Sequence, residues 1–189
     1  MFPIYNSPCF ARPGPDIPRP TPVRGGTMKY TKEDVFDAPF DKVVEICLDR
    51  SRDVDTYPNV TKTTVKKRET QGHITKLVVE TVANGDIPKA LRKVILPKML
   101  TWLEYGTWDD KEKTYEYKVK THYFSNITNI GGKFFYTEPE PGKCKRRLEG
   151  YVEINLPVLG KIAEKKIAEV QMENLELDVA AIKKQIKGL

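Results

Sequence analysis

A chain of 189 residues is one ordinary domain with some surplus, long enough to bury a core. Hydrophobic residues make up 39% and charged residues 31%, which excludes a chain disordered throughout, and no apolar run approaches the roughly 18 residues of a membrane span. The net charge of +6 comes from basic residues interleaved with acids, as in Asp109-Asp110-Lys111-Glu112-Lys113, so it reads as a solvated surface.

No nucleic-acid partner is therefore expected; a weak attraction to anionic membrane surfaces is what the charge leaves open. Residues 1–27 hold 7 of the 14 prolines and no lysine. Each proline removes a backbone donor, so this stretch is expected to be a disordered tail, or translation upstream of a natural start at Met28. Arg12, Arg19 and Arg24 against Asp16 give it the charge of an organelle presequence. The prolines spoil the amphipathic helix a presequence needs, and the apolar core of a signal peptide is missing. Cys9, Cys47 and Cys144 are odd in number and match no zinc or dithiol spacing. A reducing compartment follows, and the expected location is cytoplasmic, with organelle targeting through the tail as the alternative.

From Met28 onward, in 28–189, the pattern is that of one domain. Met28 to Phe36, rich in β-branched and aromatic residues, reads as a first strand. Pro39 suits a helix start, and Phe40, Val43, Val44 and Leu48 share one helical face. A second short helix is expected over Ser51 to Thr56, capped by Ser51, before the turn at Tyr57-Pro58-Asn59. Val60 to Thr70 and His73 to Ala83 flank Gln71-Gly72, a hairpin signal. Between Ile87 and Leu100, Pro88 and Pro97 bracket Leu91, Val94, Ile95 and Leu96, which fits a short helix or an irregular lid.

Thr101 to Trp108 and Thr114 to Phe124 form the next hairpin. Tyr115, Tyr117 and Val119 alternate with Glu116, Lys118 and Lys120, the two-residue period of a strand with one wet face. Gly131-Gly132, read as a bend or bulge, precedes a strand over Lys133 to Glu138. Pro139-Glu140-Pro141-Gly142 turns the chain, and Lys143 to Arg147 reads as a solvated, basic hairpin end. Arg147 to Leu156 places Leu148, Gly150, Val152, Ile154 and Leu156 on one face. From Val158 to about Ile186 an apolar stripe at spacings of three and four predicts a helix roughly 40 Å long. The expected fold is α+β: a curved antiparallel sheet of six to seven strands around a long C-terminal helix, with two short helices after the first strand.

This order of elements, with the Tyr57-Pro58-Asn59-Val60 turn, resembles the START-like helix-grip superfamily that includes polyketide cyclases. The strand Thr101-Trp102-Leu103-Glu104 and the stretch Leu156-Pro157-Val158-Leu159-Gly160-Lys161-Ile162-Ala163-Glu164 resemble an uncharacterised bacterial START-like family. Ile87-Pro88 and the Glu104 to Tyr117 strand pair are more loosely similar to PRELI-like phospholipid carriers. A tryptophan expected shortly after Pro88 in that family is absent, where Lys89-Ala90-Leu91-Arg92 stands, so its headgroup residues do not carry over.

The helix-grip resemblance implies a cavity between helix and sheet that binds or carries a lipid or other hydrophobic small molecule. Its expected walls are Trp102, Tyr115, Tyr117, Val119, Phe134, Tyr136, Val152 and Ile154 from strands and Ile162, Ala163 and Ile167 from the helix. Leu91, Ile95 and Leu96 are expected at the mouth. No catalytic or metal-binding motif stands in the sequence, and no cofactor is implied. His73 and His122 read as surface residues. A cyclase- or hydratase-like enzyme using Glu80, Glu104 or Tyr117 in the same cavity is the alternative function. A protein-binding module using the long helix or the basic hairpin end is a third class.

Overall fold

The structure is a computed structural model describing residues 27–188, apart from Asp86 and Val94 and the side chain of Lys98. The tail expectation and the apolar role of Val94 lie outside these residues. The elements are β1 (Met28–Phe36), α1 (Phe40–Leu48), α2 (Asp53–Thr56), β2 (Val60–Gln71), β3 (Ile74–Ala83), β4 (Thr101–Asp109), β5 (Thr114–Thr121), β6 (Thr128–Glu140), β7 (Lys143–Ile154) and α3 (Gly160–Lys187). The seven strands form one antiparallel sheet in the order β1-β7-β6-β5-β4-β3-β2. Each of β2 to β7 pairs with its sequence neighbour, and β1 closes on β7, so α1 and α2 cross from one edge to the other. The predicted helix-grip α+β architecture is the one found.

Alternation sets the two faces. Tyr115 and Tyr117 point inward from β5 while Glu116, Lys118 and Lys120 lie on the opposite face. Leu148, Gly150, Val152 and Ile154 point inward from β7. The inner face is concave, and α3 packs chiefly along β7 and β1 and against α1 and α2. Leu175, Val179 and Ile182 from the C-terminal half of α3 join Phe36, Val43 and Trp108 in one core. Ala163 near its N-terminus joins Ile130, Val152, Ile154, Ile87 and Leu91 in a second. The start of α3 is pinned by buried Glu164, whose Oε1 accepts the Ile154 amide at 2.8 Å.

Several boundaries differ from expectation. Ser51 does not cap α2: its amide donates to Asp49 Oδ1 at 2.9 Å, and Arg52 stands at the N-cap without a side-chain bond to the helix start. Gly131 and Gly132 lie inside β6 in regular register rather than before it. The strand runs on through Pro139 to Glu140, with its irregularity between Thr137 and Glu140. The Lys143 to Arg147 stretch is not a solvated turn. It is the first part of β7, and its alternation turns Cys144 and Arg146 into the core, with Arg146 only 3% exposed.

Candidate functional site

The concave face carries a run of aromatic rings. Tyr117 and Phe134 lie 5.9 Å apart between centroids, Tyr115 and Tyr117 6.4 Å, and Trp108 meets Tyr136 edge-on at 5.6 Å. Such offset and edge contacts suit the ring quadrupole. The rings lie across the sheet because glycines sit beneath them. A Cβ at Gly106 would strike the Tyr115 ring and hydroxyl, and Gly132 and Gly150 serve Tyr117 and Tyr30 alike. Tyr115 cannot swing aside, because its hydroxyl donates to Glu104 Oε1 at 2.7 Å. Gly106→Ala should therefore cost about 1–3 kcal/mol in denaturant unfolding; a cost under a few tenths would mean the ring is free to move.

Two charged clusters are set into this interior. In the first, Arg50, in the link between α1 and α2, reaches down onto the sheet. Its Nη1 donates to Glu104 Oε1 at 2.6 Å and its Nε to Asp53 Oδ2 at 2.8 Å. Burial raises the Asp53 carboxyl above its ordinary value even though Arg50 opposes this. Burial and then the charge of Glu104 push the Tyr115 phenol far up, so it keeps its proton and serves as a hydrogen-bond donor.

The second cluster centres on Asp178 of α3. Its Oδ2 accepts Arg146 Nη1 at 2.6 Å, and its Oδ1 accepts Arg52 Nη2 at 2.6 Å and the Tyr57 hydroxyl at 3.3 Å. The Arg146 guanidinium lies near the rings of Phe36 and Phe134, 5.3 and 5.2 Å from their centroids. Asp34 stands 3.4 Å from its Nη2. These contacts tie α3, β7, β1 and the α1–α2 link into one body. Among the described residues, buried Arg52 Nη1 and Arg146 Nε have no hydrogen-bond partner.

The structure distributes the sequence-derived wall residues as follows. Tyr115, Tyr117, Tyr136, Val152, Ile154 and Ala163 are buried on the inner side. Val119, Phe134 and Ile167 are half-buried against the same cores. Trp102 is half-buried in β4, next to Thr121 and Thr81 in register. Ile162 turns outward and is 43% exposed. Of the mouth residues, Leu91 is buried, Ile95 half-buried and Leu96 exposed. Glu104 and Tyr117 face inward, whereas Glu80 points to the outer face beside Lys66 and His122. The residues missed by sequence reasoning are Arg50, Arg52, Asp53, Arg146 and Asp178. The signal that could have revealed two of them is periodicity: Arg146 is two residues before Leu148, and Asp178 lies three after Leu175.

Leu91 belongs to the 84–100 segment, which closes over the sheet end and is bonded to it at its own two ends, where Ala83 N–H donates to Leu100 C=O at 2.8 Å and Asn84 N–H to Asn59 C=O at 2.7 Å. It is built from turns: Leu91 N–H donates to Pro88 C=O and Ile95 N–H to Leu91 C=O, each at 2.8 Å, followed by a 3-10 turn at Pro97–Met99. Leu91 and Ile87 hold it down on Val152, Ile154 and Ala163. Two surface concavities lie elsewhere. One of about 340 Å³ is bounded by Phe40, Lys113, Tyr136 and Glu138, the other of about 220 Å³ by Lys76, Val78, Tyr105 and Thr107 on the outer face.

The pattern of DUF2505, a family described as proteins of unknown function, matches residues 31–186. The chain belongs to that family. No curated protein matches the sequence. Solved structures do. This DUF2505 chain is similar to TTHA0849 from Thermus thermophilus, with TM-score 0.61 and 19% identity over 85% of this chain and 98% of that one. It is similar to the ZhuI aromatase/cyclase from Streptomyces sp. R1128, with TM-score 0.65 and 17% identity over 86% and 94%. A START superfamily protein from Mycobacterium smegmatis gives TM-score 0.54 and 14% identity over 86% and 99%. At these identities the likeness is one of fold, the helix-grip α+β fold described above. Among the described residues no helix is long and apolar enough to cross a membrane.

Proposed function

We propose that this domain binds a lipid or other apolar small molecule between the 84–100 segment, α3 and the β4–β5 half of the concave face. The observation that carries this reading is uneven cover. Helix α3 lies chiefly along β7 and β1, while Ile130, Val152 and Ile154, with Val119 beside them, are covered by Ile87 and Leu91 of a segment built from turns. Among the described residues its backbone is bonded to the sheet only at the ends, at Asn84 and Leu100, so its middle can lift at far less cost than a strand or helix. Lifting it uncovers the apolar surface of Leu91, Val152 and Ala163, with Glu104, Arg50 and the tyrosine hydroxyls as a polar end. An apolar concavity with a few convergent polar groups is the usual make-up of a small-molecule site. That the similar structures include an aromatase/cyclase and a START superfamily protein supports the reading.

Native mass spectrometry of protein purified from cells, followed by organic extraction, tests it. The expected result is a co-purifying apolar molecule, or uptake of added fatty acid or sterol at one per chain. Failure to carry or take up any such molecule would overturn it.

The enzyme alternative draws on one observation, the Tyr115 hydroxyl 2.7 Å from Glu104. A cyclase-like reaction would need one of this pair to move a proton. The upward shift of Tyr115 works against proton release and favours a fixed hydrogen-bonding role. Turnover of a poly-β-keto thioester that is lost in Tyr115→Phe would decide for the enzyme.

A further inference from the structure

We infer that the end of the domain bearing the 84–100 segment docks on an anionic lipid bilayer. Ten large hydrophobic side chains are exposed among the described residues, and five of them lie at this end: Leu96, Tyr123, Phe124, Val158 and Ile162. They sit on three neighbouring turns and the first turn of α3. The turns are joined: Asn155 N–H donates to Ile127 C=O at 2.8 Å, and His122 N–H to Thr101 C=O at 3.2 Å. Val158 is 91% exposed.

Two of the five are held there against backbone preference. Phe124 has φ +61° and Val158 φ +65°, in the left-handed region that costs a β-branched residue most. Glycine or asparagine would fit either position better, and a stable water-facing turn gains nothing from exposing phenylalanine or valine. Strain kept at exposed apolar side chains points to contact with something apolar.

The surrounding charge selects the partner. Lys89, Lys93 and Lys161 are exposed and form no ion pair among the described residues, and Lys120 lies nearby on the outer face of β5. Of the carboxylates at this end, Glu80 is paired with Lys66, Glu164 is buried beneath the Ile154 amide, and Glu153 accepts a hydrogen bond from Asn129. The first turn of α3 has no acidic residue and carries Lys161, adding a positive charge to the positive end of the helix dipole. Apolar tips ringed by lysines suit a bilayer with anionic headgroups, where the tips enter the interface and the lysines stay at headgroup level. The tips stand on separate turns and form neither a groove nor a free strand edge, which separates this surface from a peptide-binding one.

The proposal does not need the ligand reading to hold, because vesicle binding is measured without ligand exchange. The full chain is floated with vesicles of phosphatidylcholine alone and with about one-third phosphatidylserine. The expected result is binding to the anionic vesicles that weakens with salt, and by about five-fold for each lysine replaced by alanine at positions 89, 93 and 161. Phe124→Asp with Val158→Asp should weaken it by about ten-fold or more, while Val65→Asp on β2 leaves it unchanged. Val158→Gly separates docking from folding: it should raise the melting temperature by relieving the backbone and still weaken vesicle binding. Binding that ignores lipid charge, no binding to either vesicle, or full binding by the Phe124/Val158 variant would overturn the proposal. So would tight binding of an acidic protein by a chain that leaves vesicles untouched.

Discussion

Asp178→Asn is expected to destabilise the domain by about 3–5 kcal/mol, the usual result of removing one partner from a buried ion pair. Asp178 is the single carboxylate against which both Arg146 and Arg52 place a nitrogen at 2.6 Å. Both arginines already carry a buried nitrogen with no partner among the described residues. Without the carboxylate, two guanidiniums remain inside a core of Phe36, Phe134 and Cys47, and only Asp34 is left near Arg146. Desolvation of this kind is not recovered elsewhere in the fold.

The same site sets an acid limit. Burial pushes the Asp178 carboxyl up, but Arg146 and Arg52 outweigh it and hold the group below its ordinary value. A group with a lower value folded than unfolded contributes stability above the unfolded value, about 3.9, and loses it as pH falls through the folded value. The wild-type chain should thus lose stability below about pH 4, and the Asp178→Asn variant should show a flatter slope there. Urea unfolding at pH 7 and between about pH 2 and 5 measures both effects. A loss at pH 7 below about 1 kcal/mol, or parallel pH slopes, would show the cluster to be energetically idle. Replacing all three charges together (Arg52→Met, Arg146→Met, Asp178→Leu) should restore much of the loss, since an apolar set leaves no orphaned charge.

Leu91→Ala is expected to remove about 2–5 kcal/mol of packing, and most of it from one segment. Leu91 is 3% exposed and packs with Val152, Ile154 and Ala163. Because the backbone bonds among the described residues tie the 84–100 segment to the sheet only at its two ends, through Asn84 and Leu100, the loss should appear as local opening rather than as lower global stability. Amide exchange between residues 87 and 100 should speed up by about 30-fold to a few thousand-fold, with the core of β5 to β7 changed much less. An apolar fluorescent dye should enter faster in the same variant if that segment is the gate. Uniform loss of protection across the sheet would mean the segment is part of the core and does not move alone.

Much of the architecture was legible because it is local. The hairpins at Gln71-Gly72 and Asp109 to Lys113, the alternation of β5, and the proline-free stripe ahead of Ile186 each occupy one stretch of chain and obey one period. The resemblance to the START superfamily rested on that order of elements, and the order is what the fold repeats. The charged interior was not legible in this way. Asp178 meets Arg52 across 126 positions and Arg146 across 32. No short window of sequence contains both partners, and an isolated arginine in a basic run looks like surface. The reading of Lys143 to Arg147 failed for that reason, although carrying the alternation of β7 back from Leu148 would have turned Arg146 inward.

The amino-acid sequence by itself determined which segments become strands and helices, because backbone propensity and apolar period act over a few residues. It also determined that one face of the sheet must be covered and that one long helix would help cover it. Tertiary structure alone decided how far that cover extends: α3 follows β7 and β1, and the 84–100 segment packs over Ile130, Val152 and Ile154 at one end of the sheet. It likewise decided which charges are buried, since a charge is tolerated in the core only where a distant partner arrives to meet it. The same is true of the exposed apolar tips, which become one surface only when three turns far apart in the chain meet at one end of the sheet.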